Sequence, residues 1–216
     1  MMAFRTIKAG ITSILDQAVS SGGTYEGLFT VIDFQKELQS AEEVNGNNRS
    51  VQIYYDSGDF GGSIKRDTNH KMTFKLDLTV GTSGKIDLAS LDAATTDAER
   101  AAIISNAKEA LDEADFNLDE LIEYVYQVIM AGDNYNLGVD EGATDITVAS
   151  RMITQVQKNE PIPKGEYAVV SAVVTMTCES SEAIQTTDET PGEVVDTEFE
   201  IKNDDTGVAG VINDIT

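Results

Sequence analysis

The chain has 216 residues, and 38 Asp and Glu residues against 15 Lys and Arg residues give it a net charge of −23. A surface this acidic repels phosphate and anionic lipid, which argues against a nucleic-acid-binding role and against a role at a membrane surface. The length suits one domain with a substantial core, or one domain with an appendage.

The sequence predicts neither a signal peptide, nor a membrane span, nor a disulfide within the chain. The first residues turn amphipathic at once and lack the apolar core of a signal peptide, and no apolar run approaches the length of a membrane span. Cys178 is the only cysteine, so no disulfide can form within the chain, which fits a reducing compartment.

The N-terminal segment has the apolar spacing of one helical face, and Gly22 and Gly23 are expected to end the helix. The face consists of Phe4, Ile7, Ile11, Ile14, Leu15 and Ala18. Residues 28–34 form a short apolar run with the composition of a strand. Residues 35–48 are polar and predict a loop or a surface turn of helix.

Residues 50–55 and 71–80 both alternate between apolar and polar positions, the pattern of strands with one buried face. In the second segment the side chains predicted to point inward are Met72, Phe74, Leu76, Leu78 and Val80. The connection is too long for a tight turn, so we expect an antiparallel pair joined by a mobile loop. The acidic residues of that loop are Asp56, Asp59 and Asp67.

Two helices are predicted after the second strand. Thr96 and Glu99 have the spacing of a capping box, and Asn117 begins a second box-like start that ends at Glu120. The first helix has an apolar face of Ile103, Ile104, Ala107, Ala110, Leu111 and Ala114. The second is the more apolar of the two, so we expect it to pack on the sheet.

The most apolar stretch of the chain, residues 166–178, predicts a strand because β-branched residues are dense in it. Residues 145–157 predict another strand, joined to it by a wide hairpin. Neither face of residues 166–178 is polar enough for open water. One face is therefore expected to be covered by the chain's own helix, and the other by more of this fold or by a neighbouring copy.

The composition changes towards the C-terminus, where acidic residues crowd a segment with a single basic residue, Lys202. We expect an acidic arm over residues 181–216, in which residues 194–201 are able to add a strand to a partner. The fold class predicted for residues 1–180 is α+β, with an antiparallel sheet of about four to five strands and helices on one face.

The residues that carry chemistry in other proteins are not arranged for it here. His70 is expected to be a solvated turn residue without a second histidine for a metal site, and Cys178 a small buried hydrophobe. Residues 133–138 keep the first Asp and the sixth-position Gly of a calcium loop but lack its other ligands, and residues 203–207 would hold a cation only loosely. No phosphate-binding loop or nucleophile motif is present. We therefore expect no catalysis, no cofactor and no metal.

The order of these segments resembles the tail-terminator, or tail-completion, proteins of long-tailed bacteriophages. The matching features are the N-terminal helix, V-Q-I-Y-Y, an acidic glycine-bearing loop, M-T-F-K-L-D-L-T-V, the helical L-D-E-L-I-E-Y-V-Y-Q-V-I-M, and the closing hairpin that ends Y-A-V-V-S-A-V-V-T-M-T. The resemblance covers residues 1–180 with an insertion at about residues 24–48. The inserted segment and the acidic extension, residues 181–216, depart from the family's compact members.

The resemblance implies a hexameric ring that caps the tail tube and contacts the tail-tube protein and the head–tail connector or neck proteins. DNA would cross its channel without specific binding, and the protein would be made in the host cytoplasm and reside in the virion, with no membrane contact. The oligomer interface is predicted to include Tyr167, Val169, Val173, Thr175, Val51 and Ile53. Asp56, Asp59 and Asp67 are predicted to face the lumen or the tube.

Other functions fit parts of the same pattern. A tail-tube or head–tail connector subunit would also build rings from a small sheet-and-helix domain. An acidic calcium-binding adhesion module belongs to a different class, and tight calcium binding would distinguish it. An enzyme is the third alternative, and the lack of a usable catalytic set argues against it.

Overall fold

The computed structural model describes residues 3–32, 48–60, 67–82, 88–164 and 167–183. In these ranges a mixed sheet carries helices on one face, which confirms the predicted α+β class. The helices are α1 (Ala3–Val19), α2 (Leu88–Ala93), α3 (Asp97–Met130) and α4 (Glu141–Thr144). The strands are β1 (Thr30–Ile32), β2 (Arg49–Phe60), β3 (Asp67–Gly81), β4 (Ile146–Lys158), β5 (Ile162–Lys164) and β6 (Tyr167–Ala183).

The sheet is organised around its two longest strands, β3 and β6, in the order β1-β2-β3-β6-β4. The short strand β5 pairs with the beginning of β6, and β1 runs parallel to β2, whereas the other pairs are antiparallel. The sheet is therefore mixed where a wholly antiparallel one was predicted. The apolar run 28–34 contributes the three-residue strand β1, which accounts for the parallel pair.

The core lies between the sheet and two helices, α1 and α3. The alternation predicted for β3 is confirmed, since Met72, Phe74, Leu76, Leu78 and Val80 are all fully buried. From β6 the even-numbered side chains Ala172, Val174, Met176 and Cys178 join the same core. The predicted apolar face of α1 is also buried there, mainly through Ile7, Ile11, Ile14 and Leu15.

The region predicted to hold two helices is one continuous helix, α3, of 34 residues. The capping box at Thr96 and Glu99 is present and starts it. The second predicted start is wrong, because Asn117 is a buried residue within the helix and its Oδ1 accepts a hydrogen bond from Arg49 Nη2 at 2.7 Å. No glycine or proline interrupts residues 97–130, so nothing local ends the helix at Asn117.

Only the second half of α3 lies over the sheet. Glu120 bonds Arg49 at the start of β2, and Asp115 and Asp119 bond Lys158 at the end of β4, which places residues 115–120 over that end of the sheet. No residue of α3 before Ala110 is buried. The first half of the helix therefore extends past the sheet, and α2 contacts α3.

The C-terminal strand is longer than predicted, since β6 continues through Glu179 to Ala183. The acidic residues Glu179 and Glu182 thus belong to the sheet, and the last residue of β6, Ala183, lies three residues past the predicted domain end at residue 180. The predicted arm from residue 184 onward, and most of the predicted insertion, residues 33–47, lie outside the described residues.

Candidate interaction surface

One face of the sheet has no helix packed on it among the described residues, and we call it the open face. Its centre is formed by the odd-numbered residues of β6, of which Tyr167, Val173 and Thr175 are half-buried and Val169 is buried. All four were predicted to lie at an oligomer interface. The structure brings Tyr167, Val173 and Thr175 together, half-buried, on the face opposite α1 and α3, and Val169 is buried on the same face. Residues 167–178 therefore have one face in the core and one on the open side of the sheet.

The open face is more polar across β3 than along β6. Lys75 and Asp77 lie on it beside Val173 and Thr175, and Tyr54 Oη donates a hydrogen bond to Asp77 Oδ1 at 3.2 Å. Burial, and then the neighbouring charge of Asp77, raises the pKa of Tyr54 to about 12. Burial likewise raises the pKa of Asp77, although the Tyr54 hydrogen bond and the Lys75 charge oppose this. The face therefore combines aliphatic and threonine side chains with an internally paired polar cluster.

Two of the predicted interface residues are on the other face. Val51 is fully buried and Ile53 is 1% exposed, and both belong to the core against the helices. The sequence correctly predicted that Val51 and Ile53 share one face of β2, but the prediction that this face is an oligomer interface was wrong. The register explains the error, since Val51 pairs with Leu78 and Ile53 with Leu76, both of which point into the core.

The acidic residues predicted on a mobile loop lie on strands instead. Asp56 and Asp59 belong to β2, and Asp67 is the first residue of β3, so the hairpin arms are longer than predicted. Asp56 Oδ1 is 2.8 Å from Lys75 Nζ, which ties it to the polar cluster of the open face. Asp59 is exposed and lies across from Lys71 in the register. The connection itself, residues 61–66, is outside the described residues.

His70 is not a solvated turn residue, as was predicted. It lies in β3 and is 7% exposed, with its ring edge-on to Phe60. Its Nε2 lies 3.3 Å from Glu182 Oε2, while Nδ1 is buried and has no hydrogen-bond partner among the described residues. The prediction failed because β3 begins at Asp67, four residues before the predicted start, so the even-numbered inward face extends to His70.

Cys178 is a buried hydrophobe, as predicted. It is fully buried, and burial, followed by the charge of Glu179, raises the pKa of its thiol to about 12. The thiolate, which is the nucleophilic form, is therefore disfavoured at neutral pH.

In the loop considered as a calcium site, residues 133–138, two asparagine side chains donate hydrogen bonds to backbone carbonyls of the chain. Asn134 Nδ2 donates to the carbonyl of Val128, and Asn136 Nδ2 donates to that of Val139. Over the described ranges no three His, Cys, Asp or Glu side chains are grouped as metal ligands. These asparagines have a structural role in shaping the turn.

Two features of the surface escaped the sequence analysis. β4 lies at the edge of the sheet and exposes Met152 and Val156, and β5 exposes Ile162. Arg151 of β4 points towards the helices, and its guanidinium donates to the carbonyls of Ile129 and Ala131 at the end of α3. The pattern of residues 145–157 gave no sign of either feature, because both depend on which strands and helices lie beside β4.

The chain matches no protein-family model and no curated protein sequence. Within the residues that the structure describes, no helix is both long enough and apolar enough to cross a membrane.

Proposed function

We propose that the chain is a structural, non-catalytic subunit of a bacteriophage virion. In this proposal it forms a ring, six-fold by resemblance to tail terminators, that caps the tail tube, contacts the tail-tube protein and joins the tail to the connector or neck proteins of the head.

The observation that carries this proposal is the one-sided covering of the sheet. Its helices lie on one face, whereas Val173 and Thr175 of the longest strand are half-buried on the other. β-branched side chains grouped on an open sheet surface favour contact with another protein surface. A second copy of the chain is the partner that the resemblance to ring-forming tail terminators implies.

The charge of the chain supports the part of the proposal that concerns DNA. A duplex carries one negative charge per ~1.7 Å, and a channel wall of like sign does not hold it. Salt screens this repulsion beyond about 8 Å at physiological ionic strength, so only acidic residues near the lumen act on the DNA. Asp59 is exposed near the end of β2 and suits this role. Asp56 suits it less, because Lys75 already neutralises it.

Negative-stain electron microscopy of the purified full chain tests the proposal. We expect single closed rings with a central hole. Long stacks would instead indicate a tail-tube subunit, and particles without a hole would contradict the ring.

A pair of variants tests the surface. Val173→Glu places a charge on the open face and is expected to abolish the rings, because the contact would then bury an unpaired carboxylate. Ile104→Glu is the matched control, since Ile104 is an exposed aliphatic residue of α3 away from the sheet, and it is expected to leave the rings intact. Equal assembly of both variants would rule out the open face as the contact.

A further inference from the structure

β4, a strand of 13 residues, lies at the outer edge of the described sheet. β4 is the last strand in the sheet order, and its partner is β6 on the inner side. Within the described ranges no strand pairs with its outer side. Met152 is 57% exposed and Val156 45% exposed along this strand, so apolar side chains accompany the free backbone groups.

The edge lacks the charges that commonly protect an exposed strand from pairing. β4 contains no Asp or Glu, although the chain has 38 of them. Its two basic side chains both turn to α3. Arg151 Nε bonds the carbonyl of Ile129 at 2.7 Å, and Lys158 Nζ bonds Asp119 at 2.8 Å. Two bulges in the pairing with β6 are the only protective feature of the strand in the described structure, so the edge is suited to accept a partner.

The sequence of the chain contains a segment suited to this edge. Residues 194–201 read V-V-D-T-E-F-E-I, with Val195, Thr197, Phe199 and Ile201 at alternate positions. In an extended segment these would share one side, and the acidic residues Asp196, Glu198 and Glu200 the other. Such a segment would meet no acidic side chain of β4, so its own negative charge would not be repelled by that strand.

We propose that the outer edge of β4 accepts residues 194–201 of a second copy of the chain as an added antiparallel strand. The choice of a second copy rests on the proposed ring function and on the direction of the chain. β6 ends beside the first residue of β4, since Glu182 pairs with Ile146. In its own chain, a segment that paired with β4 directly from this end would run parallel to it, and parallel pairing is slightly less stable per residue.

In this exchange each copy donates residues 194–201 to one neighbour and accepts the same segment of another neighbour at the outer edge of its β4. Such a heterologous contact links copies head to tail and closes into a ring when the rotation between them allows. The proposal therefore assigns the acidic C-terminal segment a role in holding neighbouring copies together.

Cross-linking between two differently labelled chains tests the exchange. One full-length chain carries Met152→Cys and the other Phe199→Cys, and the two are mixed, allowed to assemble and treated with a short bismaleimide. The native Cys178 is buried, so we expect the bismaleimide to leave it unmodified in the folded chain. We expect a cross-linked heterodimer from the mixture and none when Phe199→Cys is replaced by Thr216→Cys. Cross-linking within a doubly substituted chain, with none between the singly substituted chains, would overturn the proposal.

Proline substitution provides a second test that leaves residues 1–183 untouched. Thr197→Pro removes a backbone donor from the segment, whereas Thr206→Pro makes the same change beyond it. We expect amide hydrogen exchange in β4 to become about tenfold or more faster in Thr197→Pro and to stay unchanged in Thr206→Pro.

The same experiment separates this proposal from the proposed function. Rings that persist in Thr197→Pro with unchanged exchange in β4 would overturn the strand exchange and leave the ring standing. A chain that is monomeric with or without the substitutions would contradict both.

Discussion

At the scale of single residues, Gly10 sets how closely α1 approaches the loop that follows α3. A Cβ built at Gly10 would overlap the carbonyl oxygen of Leu137 and lie 3.2 Å from the carbonyl carbon of Gly138. Both obstacles are backbone atoms, which cannot rotate away as a side chain can. A glycine inside a helix costs about 1 kcal/mol in propensity, and this close contact explains why it is present.

Gly10→Ala is therefore expected to lower the free energy of unfolding by about 1–3 kcal/mol despite the gain in helix propensity, because overpacking against backbone displaces the helix. Urea denaturation measures the change. Gly132→Ala is the matched control, since no atom lies within 4 Å of a Cβ there, and its stability is expected to stay within about 0.5 kcal/mol of the native chain. A Gly10→Ala chain as stable as this control would show that the contact is looser than described.

Cys178 links the stability of the fold to alkaline pH. Its thiol has a pKa of about 12 in the folded chain, raised from the ordinary value of 9.0, so the unfolded chain loses this proton first. Stability from this group is complete below pH 9 and falls as the pH rises from about 9 towards 12. We expect the free energy of unfolding to decrease between pH 8 and 9.5, and to decrease less steeply in Cys178→Ala. Equal slopes in the two chains would contradict the burial of the thiol.

At the scale of elements, the C-terminus of α3 depends on a residue from another strand. The last turn of α3 contains no basic residue, and its C-cap, Ala131, has extended backbone angles. Arg151 of β4 donates to the carbonyls of Ile129 and Ala131 at 2.7 and 2.6 Å, which satisfies these acceptors and places a positive charge at the negative end of the helix dipole.

Arg151→Met is expected to lower the free energy of unfolding by roughly 1–3 kcal/mol, because it keeps the aliphatic stem but leaves these carbonyls without a charged donor. Lys158→Met is the control on the same strand, and its more exposed ion pairs with Asp115 and Asp119 are expected to contribute about 0–1 kcal/mol. Chemical denaturation of both variants measures the difference. A larger loss in Lys158→Met would contradict the role given to Arg151.

The elements that were predicted correctly are those whose signal is local. The alternation in β3 and the helical spacing in α1 are complete within the sequence of each element, and the capping box needs only Thr96 and Glu99. The continuity of α3 was not predictable in this way. Asn117 looks like a helix start in sequence, and its actual partner, Arg49, lies 68 residues away.

At the scale of the whole molecule, the surfaces could be predicted only in part. The odd-numbered residues of β6 were correctly separated from the even-numbered ones, because alternation alone divides a strand into two faces. Alternation does not say which face the helices cover, so Val51 and Ile53 were assigned to the surface although they lie in the core. The edge position of β4 depends on the order of strands in the sheet, which no segment of sequence encodes by itself.

The assembly proposed for this chain joins two surfaces of the same domain. The open face, centred on Val173 and Thr175, and the outer edge of β4 lie on one sheet whose remaining face is filled by α1 and α3. The proposed ring would cover the two surfaces that the described part of the chain leaves uncovered.

The mass of the purified full chain in solution, measured by sedimentation velocity across the micromolar range, tests this account most directly. A single chain weighs 23.3 kDa, and we expect one discrete species of several chains whose mass does not change with dilution. A species that remains at the mass of one chain at every concentration would contradict the claim that a second copy covers these surfaces.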